Sequence, residues 1–512
     1  MNQNLLHRSS GVLLPLFSLP SPHGVGSLGR AARDFLDQLH RAGQSWWQLL
    51  PLGPTGYGDS PYQSLSSQAG NPYFIDLDLL AEEGLLDQGE LAAADLGSDP
   101  AAVDYGALFA GRESLLELAW QRARQDAALM TEFRRFCERS RDWLEDYALY
   151  AALKREFAFR PWYQWPESLR CRHGWALEQA RDSYADSIQR QEFYQFLFFR
   201  QWQELRDYAA SLHIRLLGDL PLYCAADSAD VWAAPEQFQL EPSGRPTALA
   251  GCPPDDFAPQ GQLWGNPLYA WEEMHADGFA WWRRRLGCAA RLFDGLRLDH
   301  FRGLEAYWSI PNPPEGEPDA AAGSWQPGPG AAFLQMLQQT CPRTLIIAED
   351  LGFLTPRVHK LRQQAGLPGM KVLQFAFGEE DSAYLPHNYD RDCVCYAGTH
   401  DNPPLQGWIA AAGEGETALA REYLGLAPDS SDAALARALL RAGMASTASL
   451  FILQPQDLLG LGEEARVNRP GSDQGNWRWR LLPDQFGEKE ERELARLTRL
   501  YGRWPRDAAD GI

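Results

Sequence analysis

Arg297-Leu298-Asp299-His300-Phe301, Ala348-Glu349-Asp350-Leu351-Gly352 and Gly398-Thr399-His400-Asp401-Asn402 decide the reading of this 512-residue chain. Each closes an apolar run that reads as a strand: Phe293 to Leu298, Leu345 to Ala348 and Cys393 to Ala397. Each places a carboxylate at the carboxyl end of its run. Asp299, Glu349 and Asp401 recur about fifty residues apart, an interval that suits one or two strand–helix units with loops. Acids at the carboxyl ends of successive parallel strands converge on one face of a barrel, where the active site of that architecture sits. Two converging carboxylates meet the needs of glycosidic-bond chemistry, one as proton donor and one as nucleophile or base.

Working outward, Ser45 to Leu52 reads as a first strand, followed by a Gly/Ser/Tyr/Pro loop, Thr55 to Pro72, and the short apolar piece Tyr73 to Leu77. From about Ala81 to His213 the character changes. Gly111 to Arg124 and Asp142 to Phe157 show helical spacing, so residues 81–213 read as a helical insertion. Alternation resumes at Ile214 to Tyr223. A polar, Pro/Gly-rich active-site loop region covers 233–267, and Pro313 to Gly330 reads as a loop over one rim. Further strand candidates are Gly295 to Leu298, Leu345 to Ala348, Lys371 to Phe377, Cys393 to Ala397 and Ser449 to Leu453. Strand–helix repetition over this length implies a parallel sheet, and end-of-strand acids imply a (β/α)8 TIM barrel, here a single catalytic domain over 1–512.

The formal net charge of −21 argues against nucleic acid and anionic membranes, which demand basic patches. It suits an enzyme with a neutral substrate. The eight Cys are scattered, which reads as reduced thiols and a cytoplasmic location. Cys393 and Cys395 share a strand face without metal-ligand partners. Met1-Asn2-Gln3-Asn4 has no charged region leading into a long apolar stretch, so no signal peptide is expected. No run approaches the roughly 20 apolar residues of a membrane span.

Along Gly295-Leu296-Arg297-Leu298-Asp299, side chains alternate. Arg297 and Asp299 therefore share a face, and Leu296 and Leu298 point outward. An adjacent guanidinium favours the ionised carboxylate that a nucleophile needs. A buried Arg–Asp pair that merely closes the barrel end is the alternative. Glu349 emerges from the apolar wall Leu345 to Ala348, which raises a carboxyl pKa by desolvation and suits a proton donor. Asp350 should face the other way. A helix N-cap formed by Glu349-Asp350 is the competing reading. His400 with Asp401, and His300 beside Asp299, offer hydrogen bonds to sugar hydroxyls that tighten in the transition state. A metal centre of His300, His400, Asp299 and Asp401 is the sharper rival, which Arg297 opposes by its charge. Among the aromatics, the loop residues Tyr57, Tyr62, Trp264 and Tyr269 are the better ligand candidates.

These motifs, with Gly11-Val12-Leu13-Leu14, Ser18-Leu19-Pro20, Leu52 to Tyr62, Gly218 to Tyr223, Gly261 to Pro267, Asn468-Arg469-Pro470-Gly471 and Asn476-Trp477, span nearly the whole chain. Together they resemble the 4-α-glucanotransferases (amylomaltases or disproportionating enzymes) of glycoside hydrolase family 77, within the α-amylase clan. The resemblance implies transfer between maltodextrins by a retaining double displacement. Asp299 would be the nucleophile, Glu349 the acid/base and Asp401 the transition-state stabiliser. It implies sugar contacts at Ser60, Tyr62, Asp219, Asp255, Trp264, Arg297, His300, His400 and Asn468, and a second, remote glucan site at Tyr57. No metal or cofactor is implied.

Two departures stand out. Asp256 occupies a position where the family commonly carries Tyr as part of a lid over the donor site. Pro403-Pro404 replaces the Asp-Thr that often follows the equivalent of Asn402, which stiffens the segment beside Asp401. An α-glucan hydrolase and a non-catalytic maltodextrin-binding barrel are the rival functions.

Overall fold

The computed structural model describes residues 6–254, 258–352, 354–472 and 474–505. Eight parallel strands form one sheet in the order 369–372, 393–396, 450–453, 9–13, 46–48, 215–220, 295–298 and 345–348. The two ends meet: the Ala348 N–H donates to the Pro368 carbonyl at 2.9 Å. The sheet is a (β/α)8 barrel.

Period-two alternation sorts the strand side chains into two layers. Leu13, Trp46, Leu217, Leu345, Ile347, Met370, Val372, Val394, Tyr396, Leu450 and Ile452 pack together inside the barrel. Trp47, Leu216, Leu296, Leu298, Ile346, Cys393 and Cys395 belong to the larger core between barrel and helices. Gly295 faces inward beside the Trp46 ring. A Cβ there would lie 3.1 Å from Trp46 Cζ3 and 3.0 Å from Leu217 Cδ1, tighter than ordinary packing. Burying both faces of the sheet makes these strands near-continuous apolar runs, which is why they were readable.

The structure corrects several element boundaries. The first strand is Ser9–Leu13, ahead of Trp46–Gln48, which is itself only three residues long. Lys371 to Phe377 splits into the strand Gly369–Val372 and a 3-10 turn, Leu373–Phe375. The 233–267 region and the 313–330 rim are not simple loops. Gln262–Pro267, Ala248–Cys252, Ala306–Pro311 and Ser324–Pro327 form, in that spatial order, a second, antiparallel sheet. The outer strand Ser324–Pro327 is mostly exposed, so its composition resembles a loop's.

Between Trp46–Gln48 and Arg215–Leu220 the elements are helical, the longest being Tyr105–Ala123, Ala127–Glu156 and Ala185–Ser211. Two start on aspartate caps. Asp104 accepts from Ala107 N at 3.0 Å, and Asp126 accepts from Ala128 N at 2.9 Å and Leu129 N at 3.0 Å. Ala185–Ser211 buries Trp202 against Phe293 at the barrel side, and Phe193 against Trp120 and Phe133 of the other two long helices. Among the described residues no helix is long and apolar enough to cross a membrane.

Because Ile347 is fully buried inside the barrel, Ile347→Ala should lower the unfolding free energy by about 2–5 kcal/mol in chemical denaturation. A loss below about 1 kcal/mol would mean the interior collapses around the deletion.

Candidate active site

The carboxyl ends of the strands gather the chemistry around one guanidinium. Parallel register sets Asp219 on Arg215–Leu220 beside Arg297 on Gly295–Leu298. Arg297 Nη1 donates to Asp219 Oδ1 at 2.9 Å, to Asp219 Oδ2 at 2.8 Å and to Asp299 Oδ1 at 2.8 Å. Desolvation works against the Arg297 charge, but Asp219 and Asp299 outweigh it and hold its pKa well above the ordinary value. Burial raises the Asp219 pKa, Arg297 opposes that rise and Asp299 adds to it. The tyrosine hydroxyl of Tyr62 donates to Asp219 Oδ2 at 2.9 Å.

Glu349 follows the strand Leu345–Ala348. Its carboxylate accepts from His300 N at 2.7 Å and from Leu351 N at 3.1 Å. Burial pushes its pKa up to about 8; Arg297 pulls it down and Asp299 adds to the rise. Burial therefore favours the protonated carboxyl of Glu349 at neutral pH. Asp350 turns away, as alternation requires. It pairs with Arg362 at 2.9 Å and accepts from Met370 N at 2.7 Å. Neither acid caps the next helix, which starts at Pro356 behind Thr355.

His300 adopts a left-handed backbone, φ 48°. That bend presents its N–H to Glu349 and its ring edge-on to Trp264, with centroids 4.8 Å apart at 86°. Burial lowers its pKa to about 4, so the imidazole is neutral. His300 Nε2 and His400 Nδ1 have no hydrogen-bond partner among the described residues.

Asp401 is the more open acid, with a side chain 37% exposed. Asn468 Nδ2 donates to its Oδ1 at 2.6 Å, and His400 Nε2 lies 3.2 Å from the same oxygen. Tyr62 stacks on His400 with centroids 5.2 Å apart and 14° between the planes. Ser60 supports this loop by accepting the Tyr62 N–H at 3.3 Å.

The fold thus brings Ser60, Tyr62, Asp219, Trp264, Arg297, Asp299, His300, Glu349, His400, Asp401 and Asn468 to one face. Tyr57 is fully exposed on the same loop as Ser60. Tyr269 is a correction: it is wholly buried, and its hydroxyl donates to the Leu222 carbonyl at 2.8 Å. Asp255, with Asp256 and Phe257, lies outside the described residues. The four candidate metal ligands do not form a metal-holding group; among the described residues no three His, Cys, Asp or Glu do.

Sequence reasoning missed two supporting residues. Arg466 donates to the Asp401 carbonyl at 2.6 Å and to the Asn468 carbonyl at 2.7 Å. Trp477 lies against both Tyr62 and His400, centroids 5.8 Å and 6.0 Å away. The adjacency of Arg466 to Asn468 was the available signal for the first.

Comparison with known proteins points one way. Residues 14–484 match the family model of glycoside hydrolase family 77, described as 4-alpha-glucanotransferase. A 4-alpha-glucanotransferase of Thermus thermophilus is 47% identical over 503 residues, covering 97% of this chain and 98% of that protein. One from Streptococcus pneumoniae is 44% identical over 499 residues, covering 97% of each. The amylomaltase from Streptococcus agalactiae in complex with acarbose superposes with a TM-score of 0.93 at 36% identity, covering 97% of this chain and 100% of that one.

The Glu349 carboxyl, at about 8, sits above its ordinary value of 4.5. Through that window the folded state holds a proton that the unfolded chain has released. Stability is full at low pH and declines as pH rises through about 8. Glu349→Gln should therefore stabilise the fold by about 1–3 kcal/mol at pH 8 and by little at pH 4. Unfolding free energies of the two proteins at both pH values check this; a difference independent of pH would contradict the raised pKa.

Proposed function

This chain belongs to the 4-alpha-glucanotransferases of glycoside hydrolase family 77, and from that premise we propose that Asp299, Glu349 and Asp401 carry a retaining double displacement. The activity is transfer of α-1,4-glucan segments between maltodextrins, within starch and maltodextrin metabolism. The observation that carries the mechanism is one Arg297 nitrogen bonded to both Asp219 and Asp299, beside a Glu349 protonated at neutral pH.

In the first step Glu349 gives its proton to the glycosidic oxygen while Asp299 attacks the anomeric carbon. The leaving segment departs with a new hydroxyl, and the donor remains as a covalent glycosyl ester on Asp299. In the second step Glu349, now ionised, takes the proton from the acceptor's 4-hydroxyl. That oxygen attacks the anomeric carbon and Asp299 is released, so configuration is retained. Arg297 aims Asp299 through the 2.8 Å hydrogen bond to its Oδ1. Asp401, held by Asn468, takes ring hydroxyls whose hydrogen bonds tighten as the sugar flattens towards an oxocarbenium ion. The free nitrogens of His300 and His400 accept or donate to further hydroxyls. Trp264, Tyr62 and Ser60 line the glucan path, with Asp255 and the exposed Tyr57 as further contacts. The scheme draws on no metal or cofactor. Among the described residues the cysteines form no disulfide, which supports a reducing, cytoplasmic setting.

Maltotriose alone tests the reading. Transfer yields glucose and a ladder of longer oligomers. Glucose and maltose without elongation would make the chain a hydrolase, and unchanged substrate would make it a binding module.

Asp299→Asn should lower turnover by several orders of magnitude while circular dichroism and melting stay near wild type. Retention of more than about a hundredth of the activity would remove Asp299 from the nucleophile role. Glu349→Gln should lose transfer from maltodextrins yet react with α-glucosyl fluoride, whose leaving group needs no proton. Equal loss on both donors would assign the proton to another group.

A further inference from the structure

The Asp401–Asn468 pair is assembled from two separate stretches of chain. Asp401 lies in the segment 399–405, which follows the strand Cys393–Tyr396. Asn468 closes the segment 463–468, which follows the neighbouring strand Leu450–Leu453. Asn468 Nδ2 reaches Asp401 Oδ1 at 2.6 Å, and the Asn468 N–H donates to the His400 carbonyl at 3.1 Å. The geometry of the acid therefore depends on how these two segments sit against each other.

One turn of helix holds both. Gln454-Pro455-Gln456-Asp457 opens the helix Pro455–Leu459 and carries three buried polar side chains within four residues. Each ends on a different backbone group. Gln454 Nε2 donates to the Thr399 carbonyl at 3.1 Å, and Asp457 Oδ1 accepts the Leu405 N–H at 2.8 Å. These are the two ends of the Asp401 segment. Gln456 Nε2 donates to the Ala465 carbonyl at 3.2 Å, in the Asn468 segment. The next residue is Arg466, whose guanidinium donates to the Asp401 carbonyl at 2.6 Å and the Asn468 carbonyl at 2.7 Å.

The arrangement carries a penalty. Gln456 Oε1 and Asp457 Oδ2 are buried and have no hydrogen-bond partner among the described residues. Burial pushes the Asp457 carboxyl up to about 7. Packing alone would be met by apolar side chains here. Capping alone would be met by a serine at position 404, with no acid buried. One use of polar groups kept against such a penalty is to fix a single geometry, and sites that break local rules in this way are commonly functional.

We propose that Gln456 and Asp457 are positioning residues for Asp401: from one turn of helix they fix the segments that carry Asp401 and Asn468, and so hold the Asp401 carboxylate against the reacting sugar. The inference rests on the role of Asp401 in the proposed displacement. Both side chains act through backbone groups, and neither is a ligand of the glucan.

The test measures kcat and KM of the full chain on maltotriose and on α-glucosyl fluoride, well below the melting midpoint of each variant. Asp457→Ala and Gln456→Met should each lower kcat about tenfold on both donors and leave KM within about twofold, because a transition-state contact is displaced while the sugar subsites stay intact. Loss on both donors separates this route from the proton donor, whose removal spares glucosyl fluoride. Asp457→Asn keeps an oxygen for the Leu405 N–H and should return kcat to within about threefold of wild type. Beside Asn468→Ala, the loss from Asp457→Ala should be less than additive, since both changes act through Asp401. A lower melting midpoint with unchanged kcat would make the helix a structural brace and overturn the proposal. So would a rise in KM alone, or full additivity with Asn468→Ala. If Asp457→Ala does not fold, Gln456→Met, which removes one amide and keeps the length of the side chain, carries the comparison. Failure of the parent reading is separate. Asp401→Asn would then keep its turnover, and the roles of Gln456 and Asp457 would fall with it. An inert Asp401→Asn beside fully active Gln456 and Asp457 variants would overturn this proposal alone.

Discussion

The site depends on a single nitrogen. Arg297 Nη1 is the donor to both oxygens of Asp219 and to one of Asp299. Its side chain is 4% exposed, and that of Asp219 is fully buried. Without the guanidinium, two carboxylates would share a dry site at a cost their own repulsion would compound. With it, the pair is compensated, and Asp299 keeps an orientation set by the strand. Removing the arginine would leave buried charge uncompensated, a larger penalty than the worth of the contact itself. The same ion pair ties the neighbouring strands Arg215–Leu220 and Gly295–Leu298 at their active ends, so their pairing and the site's chemistry share one constraint.

Glu349 needs the opposite environment, and the fold supplies it a few residues away. The wall of Leu345, Ile346, Ile347 and Ala348 leads directly into its carboxyl, and burial outweighs the pull of Arg297. Two backbone N–H groups, from His300 and Leu351, aim it without neutralising the rise. The left-handed turn at His300 makes the first of these possible. Strain at one residue thus delivers a hydrogen bond to Glu349 and an imidazole edge-on to Trp264. Glu349, whose carboxyl burial pushes up to about 8, and Asp299, held by the 2.8 Å hydrogen bond from Arg297, stand in different surroundings.

Much of this was legible in the sequence, for definable reasons. Strands buried on both faces leave unbroken apolar runs, so Gly295–Leu298 and Leu345–Ala348 were read to the residue. Alternation assigned Arg297 inward and Leu298 outward before any coordinate. Glu349 was separated from Asp350 by the same rule. What failed lies where pattern is weak. Ser9–Leu13, the first strand, carries a central Gly and two Ser, which dilute its apolar signal. The antiparallel sheet over the rim has short, partly exposed strands whose Pro and Gly content reads as loop. Tyr269 sat among loop-forming residues yet is core, because its hydroxyl finds the Leu222 carbonyl and so pays no penalty inside. Arg466 acts through backbone carbonyls, which no side-chain motif announces.

The Pro403-Pro404 departure has a structural counterpart. The prolines leave the entrance to the helix Leu405–Ala411 without a capping side chain of its own. Asp457, in the short helix Pro455–Leu459 that follows the neighbouring strand Leu450–Leu453, supplies the cap by accepting the Leu405 N–H at 2.8 Å. Gln454, at the start of that helix, donates to the Thr399 carbonyl at 3.1 Å. From the other side Gln374 donates to the Pro403 carbonyl at 2.8 Å. The segment 399–405, with Asp401 near its middle, is therefore held at both ends by its two neighbours in the barrel. Stiff prolines and external caps replace the flexibility that polar residues would have allowed. All three ties come from buried side chains, 5% exposed for Asp457, 1% for Gln454 and 4% for Gln374, so water does not compete for them. In the proposed displacement, an acid that meets a flattening sugar ring gains more from such restraint than from intrinsic reactivity.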